Sequence, residues 1–246
     1  MTKFAIIGGS GITRLEGLEI VRREVVHTPF GEPSAPLTHG TYNGQSFVFL
    51  PRHGAAHTIP PHKVNYRANL WALHHVGVVS VLAIAAVGSM NEAMPPGSVV
   101  LPDQIIDYTY GRENTFFENG LSQVTHIDFT EPYCNRLREV LRISAENAAI
   151  QAVDGATYGA TQGPRLESAM EIRRMTRDGC DLVGMTGMPE AALARELDIC
   201  YACCAVVANW AAGLSSSPIT MDAIEKSLIE GMEKVYKLLS KLDLSN

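Results

Sequence analysis

Charge is scarce in this chain. Only 19% of its 246 residues are Asp, Glu, Lys or Arg, and the balance is acidic, −6 with histidines neutral. That balance argues against nucleic acid or an anionic membrane as the main partner, so any anion it binds must be met by a local arrangement of donors. Long apolar runs are also missing: none approaches the roughly 20 residues that span a bilayer. The opening MTKFAIIGGSG lacks the basic, apolar, small-residue layout of a signal peptide. The expectation is a cytoplasmic protein with no membrane partner. Cysteine is sparse and odd in number: Cys134, Cys180, Cys200, Cys203 and Cys204. No regular framework emerges, which argues against a disulfide scaffold. Cys200-x-x-Cys203 lies inside an apolar run with no second ligand pair, so a buried structural role is expected rather than redox or zinc chemistry. There is no Gly/Pro/Ser-rich linker, repeat or low-complexity tract, and α/β units of this size are often single. Residues 1–246 are expected to form one domain.

What the chain has is apolar residues, 46% of the total, enough for a sizeable core and for a subunit interface. They gather in strand-like runs: FAIIGG (4–9), SFVFLPRHG (46–54), VVSVLAIAAVGS (78–89), GSVVLPDQIID (97–107), ATYGATQG (156–163), CDLVGMTG (180–187) and CYACCAVVAN (200–209). Several are continuously apolar, the mark of strands covered on both faces. Helical patterns fall between them. KVNYRANLWALHHVG (63–77) stops on Gly77. EPYCNRLREVLRISAENA (131–148) places Pro132 in a first turn, with Leu137, Val140, Leu141 and Ala145 on one face. MPEAALARELDI (188–199) starts directly after a strand, and 220–242 carries an inner stripe of Ile224, Leu228, Met232, Val235 and Leu239. The alternation predicts an α/β layered fold with a mixed or parallel sheet; the fold expected is a central mixed β-sheet flanked by helices.

Four strand ends carry residues able to do chemistry, and in open α/β sheets such ends converge on ligands. IIGGSGIT (6–13) offers glycines for close backbone approach and the Ser10 hydroxyl. It is not a dinucleotide fingerprint, since Arg14 stands where the third glycine belongs, and it fits an anion loop or a plain tight turn equally. LPRHGAAHTIPPHKVNY (50–66) brings Arg52 and His53, with His57 and His62 nearby. An arginine fork suits phosphate, while the histidine spacings fit no usual zinc site; alone, the segment also reads as a solvated loop. In LVGMTGMPEAALARE (182–196) a strand runs into Thr186 before a helix start that favours an anion, or Thr186 is simply a cap. TQGPRLES (161–168) places Leu166 and Glu167 in a loop beyond a strand end, paired with Asn209, which closes the last apolar run; taken alone, Glu167 also reads as a solvated side chain and Asn209 as a strand cap.

Taken together, IIGGSG, RHGAAHTIPPHKVNYRANLWAL, HIDFTEPYC, TQGPRLES and GMTGMPEAALARE resemble the purine nucleoside phosphorylase superfamily, in the branch that contains methylthioadenosine phosphorylases. The resemblance covers nearly the whole chain. It implies a single α/β domain of the nucleoside-phosphorylase type, assembled as a homotrimer whose neighbouring subunit completes the site. It also implies inorganic phosphate as co-substrate, with no metal or other cofactor. The phosphate site of such enzymes maps onto Ser10, Arg52, His53, the backbone near Ala86, and Thr186; Met185 lies against the ribose. One departure stands on the phosphate side: Ala85 in AIAAVGS replaces a common threonine, which removes a hydroxyl.

The base end departs further. Family members acting on adenine nucleosides carry an Asp-x-Asp pattern where this chain reads Asn209-Trp210-Ala211, and a small serine where it has Glu167. Asn with Glu is the pair the resemblance associates with 6-oxopurines. A carboxylate accepts from N1–H of hypoxanthine but meets a lone pair on adenine, and the Asn209 amide donates to O6 while its carbonyl accepts from a protonated N7. Asn209 and His53 are therefore the expected catalytic residues, and Leu166, Glu167, Asn209 and Ala211 the expected base contacts. Related enzymes that accept a 5′-hydroxyl meet it with a histidine from the C-terminal region. Here no histidine follows His126, and Met221 and Ile224 stand there instead. An apolar pocket suits a methylthio group, with His126 reaching in from a neighbouring subunit. Both apolar residues also fit ordinary core positions. The expected reaction is phosphorolysis of 5′-methylthioinosine, with inosine/guanosine or methylthioadenosine phosphorolysis, or non-catalytic purine binding, as alternatives.

Overall fold

β5 (Val78–Ser89) is the axis on which the other strands are hung. The computed structural model describes residues 3–12, 15–119 and 123–244; Thr13 and Arg14 of the glycine-bearing turn lie outside them. Ahead of β5 come β1 (Lys3–Gly8), β2 (Glu19–Glu24), β3 (Leu37–Tyr42), β4 (Gln45–Pro51), a 3-10 turn at Pro61–Lys63 and α1 (Tyr66–His75). After it follow β6 (Val99–Leu101), β7 (Gln104–Asp107), α2 (Asn135–Asn147), β8 (Ala152–Asp154), β9 (Thr157–Ala160), α3 (Ala169–Arg177), β10 (Leu182–Gly184), α4 (Gly187–Glu196), β11 (Cys200–Trp210) and α5 (Met221–Ser240). One mixed sheet runs β2-β3-β4-β1-β5-β10-β9-β7, and β11 branches from β5 toward β6 and β8. β1 is parallel to β4 and β5, β11 to β5, and β9 to β7 and β10.

The period-2 geometry of a strand explains why the central runs are apolar throughout. Ile7, Leu50, Ala83 and Cys203 enter the core on the side of α1 and α4. Their neighbours Ile6, Phe49, Leu82 and Cys204 enter the core on the side of α2 and α5. No helix among the described residues is long and apolar enough to cross a membrane.

Local differences from the sequence expectations have physical reasons. α2 begins at Asn135 with Cys134 as its N-cap, so Pro132 lies ahead of the helix, not in its first turn. Cys134 and Cys200 form a disulfide, which the odd count and loose spacing did not suggest. The Cys134 N–H donates to Tyr201 O (2.7 Å), and this bond brings the start of α2 against the start of β11. Cys180, Cys203 and Cys204 are free and buried, as the core role required. The run 97–107 divides into β6 and β7 around Pro102, which has no N–H to offer a ladder. On α5, Met232, Val235 and Leu239 are buried, whereas Ile224 and Leu228 are only partly so. The first half of the stripe faces the cavity described next.

Candidate active site

The sheet opens where β5 changes partner. One edge of β5 pairs with β11 from Ser80 to Ser89. The other pairs with β1 as far as Ala83, and with β10 only at Gly88 and Ser89. Among the described residues no strand covers that edge from Ile84 to Val87. A residue's N–H and C=O share one edge, and the edge alternates along a strand. Ile84 O accepts from Arg52 Nη1 at this opening (3.0 Å), so Ala86 two residues on presents its backbone to the same gap. A cavity of about 480 Å³ sits there, lined by the ends of β1, β4, β5, β10 and β11 and by the start of α5. That is where ligands of α/β sheets bind.

At one end stand Gly9, Ser10, Arg52, His53, Ala85, Ala86 and Thr186. Glycine is needed at position 9: a Cβ there would lie 2.5 Å from Ile84 O and 2.8 Å from Arg52 Nη1. Arg52 is 1% exposed and is held at backbone level by its N–H to Gly8 O (2.8 Å). Its Nε and Nη2 donate to the two oxygens of Glu190, each at 2.7 Å. Glu190 is fully buried and also accepts from Tyr201 OH (2.8 Å). Burial opposes the charge on Arg52, but the Glu190 carboxylate outweighs it and holds the guanidinium cationic. The side-on fork that sequence alone offers to phosphate is therefore closed on Glu190. Counting the Ile84 contact, three of five N–H groups are used, and two remain.

His53 is buried, and its Nδ1 donates to Ile59 O (2.8 Å), leaving Nε2 for a ligand. Burial first, then the Arg52 charge, lowers its pKa to about 4, so the ring is neutral at pH 7. The sign of the linkage is definite. Between about pH 6.5 and 4 the unfolded chain binds a proton that the folded chain refuses, so stability falls as pH drops through that window. Denaturant unfolding is expected to lose about 2 kcal/mol from this group between pH 7 and pH 5, and His53→Gln should flatten that slope. His57 packs its ring 4.7 Å from His53 and lies 3.4 Å by Nε2 from Ser10 Oγ; burial lowers its pKa as well. Thr186 is the N-cap residue of α4, yet its side chain makes no capping bond. Thr186 lines the cavity, and both its backbone N–H and its side chain meet the buried Tyr158 hydroxyl.

At the other end the β11 ladder shifts register between Val207 and Asn209, and a bulge of this kind re-aims side chains. Asn209 Nδ2 donates to Trp210 O (2.7 Å), which fixes the amide plane and leaves Oδ1 and one N–H uncommitted. Glu167 accepts from Thr161 Oγ1 through Oε1 (2.7 Å), and no hydrogen bond engages Oε2 among the described residues. Leu166, Glu167, Asn209 and Ala211 all line this end, with Val183 and Gly88. Gly163 needs its φ of +59°, and a Cβ there would lie 2.4 Å from Met185 Sδ. That close approach sets the Glu167 loop against Met185, which is also in the lining.

The remaining wall is apolar: Ile219, Met221, Ile224 and Leu228. Met221 is 74% exposed in the single chain, so it is not a core residue. His126 is exposed and is not in the lining of its own chain's cavity. Glu190, His57, Ile219 and Leu228 escape a reading of the sequence as site residues. Glu190 sits inside the quoted GMTGMPEAALARE segment, and a carboxylate in a helix's otherwise apolar first turn is the signal that marks it.

The cavity thus has a cationic end at Arg52, a polar end at Glu167 and Asn209, and an apolar third wall. The chain belongs to the phosphorylase superfamily, whose family model matches residues 3–242. It is 52% identical over 98% of both chains to a probable S-methyl-5′-thioinosine phosphorylase of Pseudomonas syringae pv. tomato. It is 46% identical to the 6-oxopurine nucleoside phosphorylase of Pyrococcus furiosus, covering 97% of this chain and 91% of that one. Among solved structures, the methylthioadenosine phosphorylase of Schistosoma mansoni in complex with adenine superposes with a TM-score of 0.94 at 35% identity, over 98% of this chain and 91% of the other.

Proposed function

We propose that the protein splits 5′-methylthioinosine with inorganic phosphate, giving hypoxanthine and 5-methylthioribose 1-phosphate. The observation that carries the reading is the pair Glu167 and Asn209 at one end of the cavity, with Oε2 and Oδ1 both uncommitted. Glu167 Oε2 accepts from N1–H of the 6-oxopurine. Asn209 donates its remaining N–H to O6 and accepts from N7 as that nitrogen gains a proton.

Phosphate sits at the other end against Ser10, the two remaining N–H groups of Arg52, the Ala86 backbone and the Thr186 hydroxyl. Neutral His53 accepts at Nε2 from the P–OH of a monoprotonated phosphate. As the C1′–N9 bond breaks, its electron pair passes to the purine and the sugar gains oxocarbenium character. A phosphate oxygen forms the new bond at C1′, and the proton lost by phosphate balances the one gained by the base. Catalysis is then positioning and electrostatic preorganisation, with no covalent intermediate on the protein.

Met185 covers the ribose, and Met221, Ile224, Ile219 and Leu228 receive the 5′-methylthio group. The chain works as a homotrimer, with His126 of a second copy completing this end. A cytoplasmic placement belongs to the same reading, and it stands in tension with the Cys134–Cys200 bridge, because thiols there are kept reduced.

A second reading, phosphorolysis of inosine or guanosine, is favoured by the Pyrococcus furiosus relative and disfavoured by the apolar 5′ wall. Simple purine binding is decided by phosphate. Hypoxanthine release from methylthioinosine is expected to stop when phosphate is withheld; continued release without it overturns the phosphorylase mechanism.

A further inference from the structure

Outside the cavity, one side chain ties together the segments that carry the two ends of the site. Arg112 lies in the irregular stretch after β7 and is partly buried. Its Nε donates to Gln162 Oε1 (3.0 Å) and its Nη2 to Thr161 O (3.1 Å) and Gln162 O (2.8 Å). Its Nη1 donates to Met185 O (2.9 Å) and Met188 O (2.5 Å), with Tyr66 OH at 3.4 Å. The guanidinium also stands 5.5 Å over the centre of the Tyr66 ring. All five N–H groups are engaged, and every acceptor is neutral. Four backbone carbonyls converge on this one cation, so without it their aligned dipoles face one another unscreened.

The two segments it joins are the ones that place Glu167 and Thr186. Thr161 gives its carbonyl to Arg112 and its hydroxyl to Glu167 Oε1. The carbonyls of Met185 and Met188 flank Thr186 on either side. We infer that Arg112 is a positioning residue that fixes the distance between the carboxylate reading the base and the hydroxyl on the phosphate side, and so sets base discrimination from outside the pocket. The inference rests on the base-reading role given to Glu167. Lysine cannot replace it, since a single ammonium has three donors around one point and cannot span both loops.

The test is Arg112→Met and Arg112→Lys, assayed beside the wild type with 6-oxo and 6-amino methylthio-nucleosides. A misplacement of about 1 Å costs on the order of 100-fold. The preferred nucleoside is expected to lose that much in kcat/KM and the disfavoured one far less, which narrows the wild-type ratio about tenfold or more. Added guanidinium ion is expected to restore part of the ratio in Arg112→Ala. Equal losses on both nucleosides, with no rescue, overturn the inference and leave Arg112 a purely structural tie. If the Arg112 variants do not fold, Thr161→Val removes the hydroxyl between the tied backbone and Glu167, and the same narrowing is required of it. A wild type that prefers the adenine nucleoside contradicts the proposed substrate, yet the ratio still reports on Arg112. A wild type without turnover moves the comparison to calorimetric binding of hypoxanthine against adenine.

Discussion

Glu190→Gln is expected to cut phosphorolysis by about 10² to 10³-fold, the cost of disturbing one preorganised donor at a site of developing charge. Glu190 never reaches the cavity, but it takes the Nε and Nη2 edge of Arg52 and is itself held by Tyr201. A glutamine turns one acceptor into an N–H aimed at another N–H and leaves the Arg52 charge buried without its counter-ion. Breaking such a pair costs about 3–5 kcal/mol of stability, and the loosened guanidinium no longer presents its two remaining donors to phosphate. Kinetics at varied phosphate should show the loss as a raised KM for phosphate with a lowered kcat. The double change Arg52→Met with Glu190→Leu separates fold from function. Packing apolar groups of similar size where the pair stood is often neutral for stability, so urea unfolding should recover while activity stays lost. Recovery of both would mean that Arg52 does not serve the phosphate.

The second large effect concerns the base. Asn209→Asp removes the donor aimed at O6 and supplies an acceptor for the 6-amino group of adenine. Glu167→Gln supplies an N–H for the bare N1 of adenine in place of a carboxylate that repels it. Mismatched polar groups in a built site discriminate by about 10⁴-fold, so the double variant is expected to shift the ratio of methylthioinosine to methylthioadenosine turnover by at least about 10³-fold toward adenine. Initial rates on both nucleosides at equal concentration measure it. An unmoved ratio in a folded, active variant would show that these two residues do not read the base.

Most of the framework around this site is legible in the sequence, because the central strands are buried on both faces and read as unbroken apolar runs. The run 78–89 coincides with β5, and 200–209 differs from β11 by one residue. What escapes is amphipathic or exposed. β2 presents mostly exposed side chains at the sheet's edge, and β3 is broken by Gly40, so neither gives an apolar run. The Asn43-Gly44 pair between β3 and β4, with both residues at positive φ, is nonetheless a strong hairpin signal. α3 buries only Ile172 and Met175, a stripe too thin to register. Its capping box of Ser168 and Glu171 is spelled out in the tetrapeptide SAME.

The site residues on strand ends stand out by chemistry alone, since Arg, His, Asn and Glu are anomalous after apolar runs. Glu190 and Arg112 do not, because their roles come from partners that are distant in sequence: 138 residues from Arg52 to Glu190, and up to 76 from Arg112 to Met188. The disulfide hides for the same reason, its cysteines being 66 positions apart in sequence. Closure of the arginine fork on Glu190 most alters the sequence picture, because the proposed phosphate contact then relies on several shared donors and not on one strong fork.

The most direct test of the substrate assignment is kcat/KM for 5′-methylthioinosine, methylthioadenosine and inosine, each with saturating phosphate. Glu167 and Asn209 predict methylthioinosine above methylthioadenosine by about 10⁴-fold. The apolar wall of Met221, Ile224 and Leu228 predicts methylthioinosine above inosine by a smaller factor. Faster turnover of methylthioadenosine than of methylthioinosine would contradict the account at its centre.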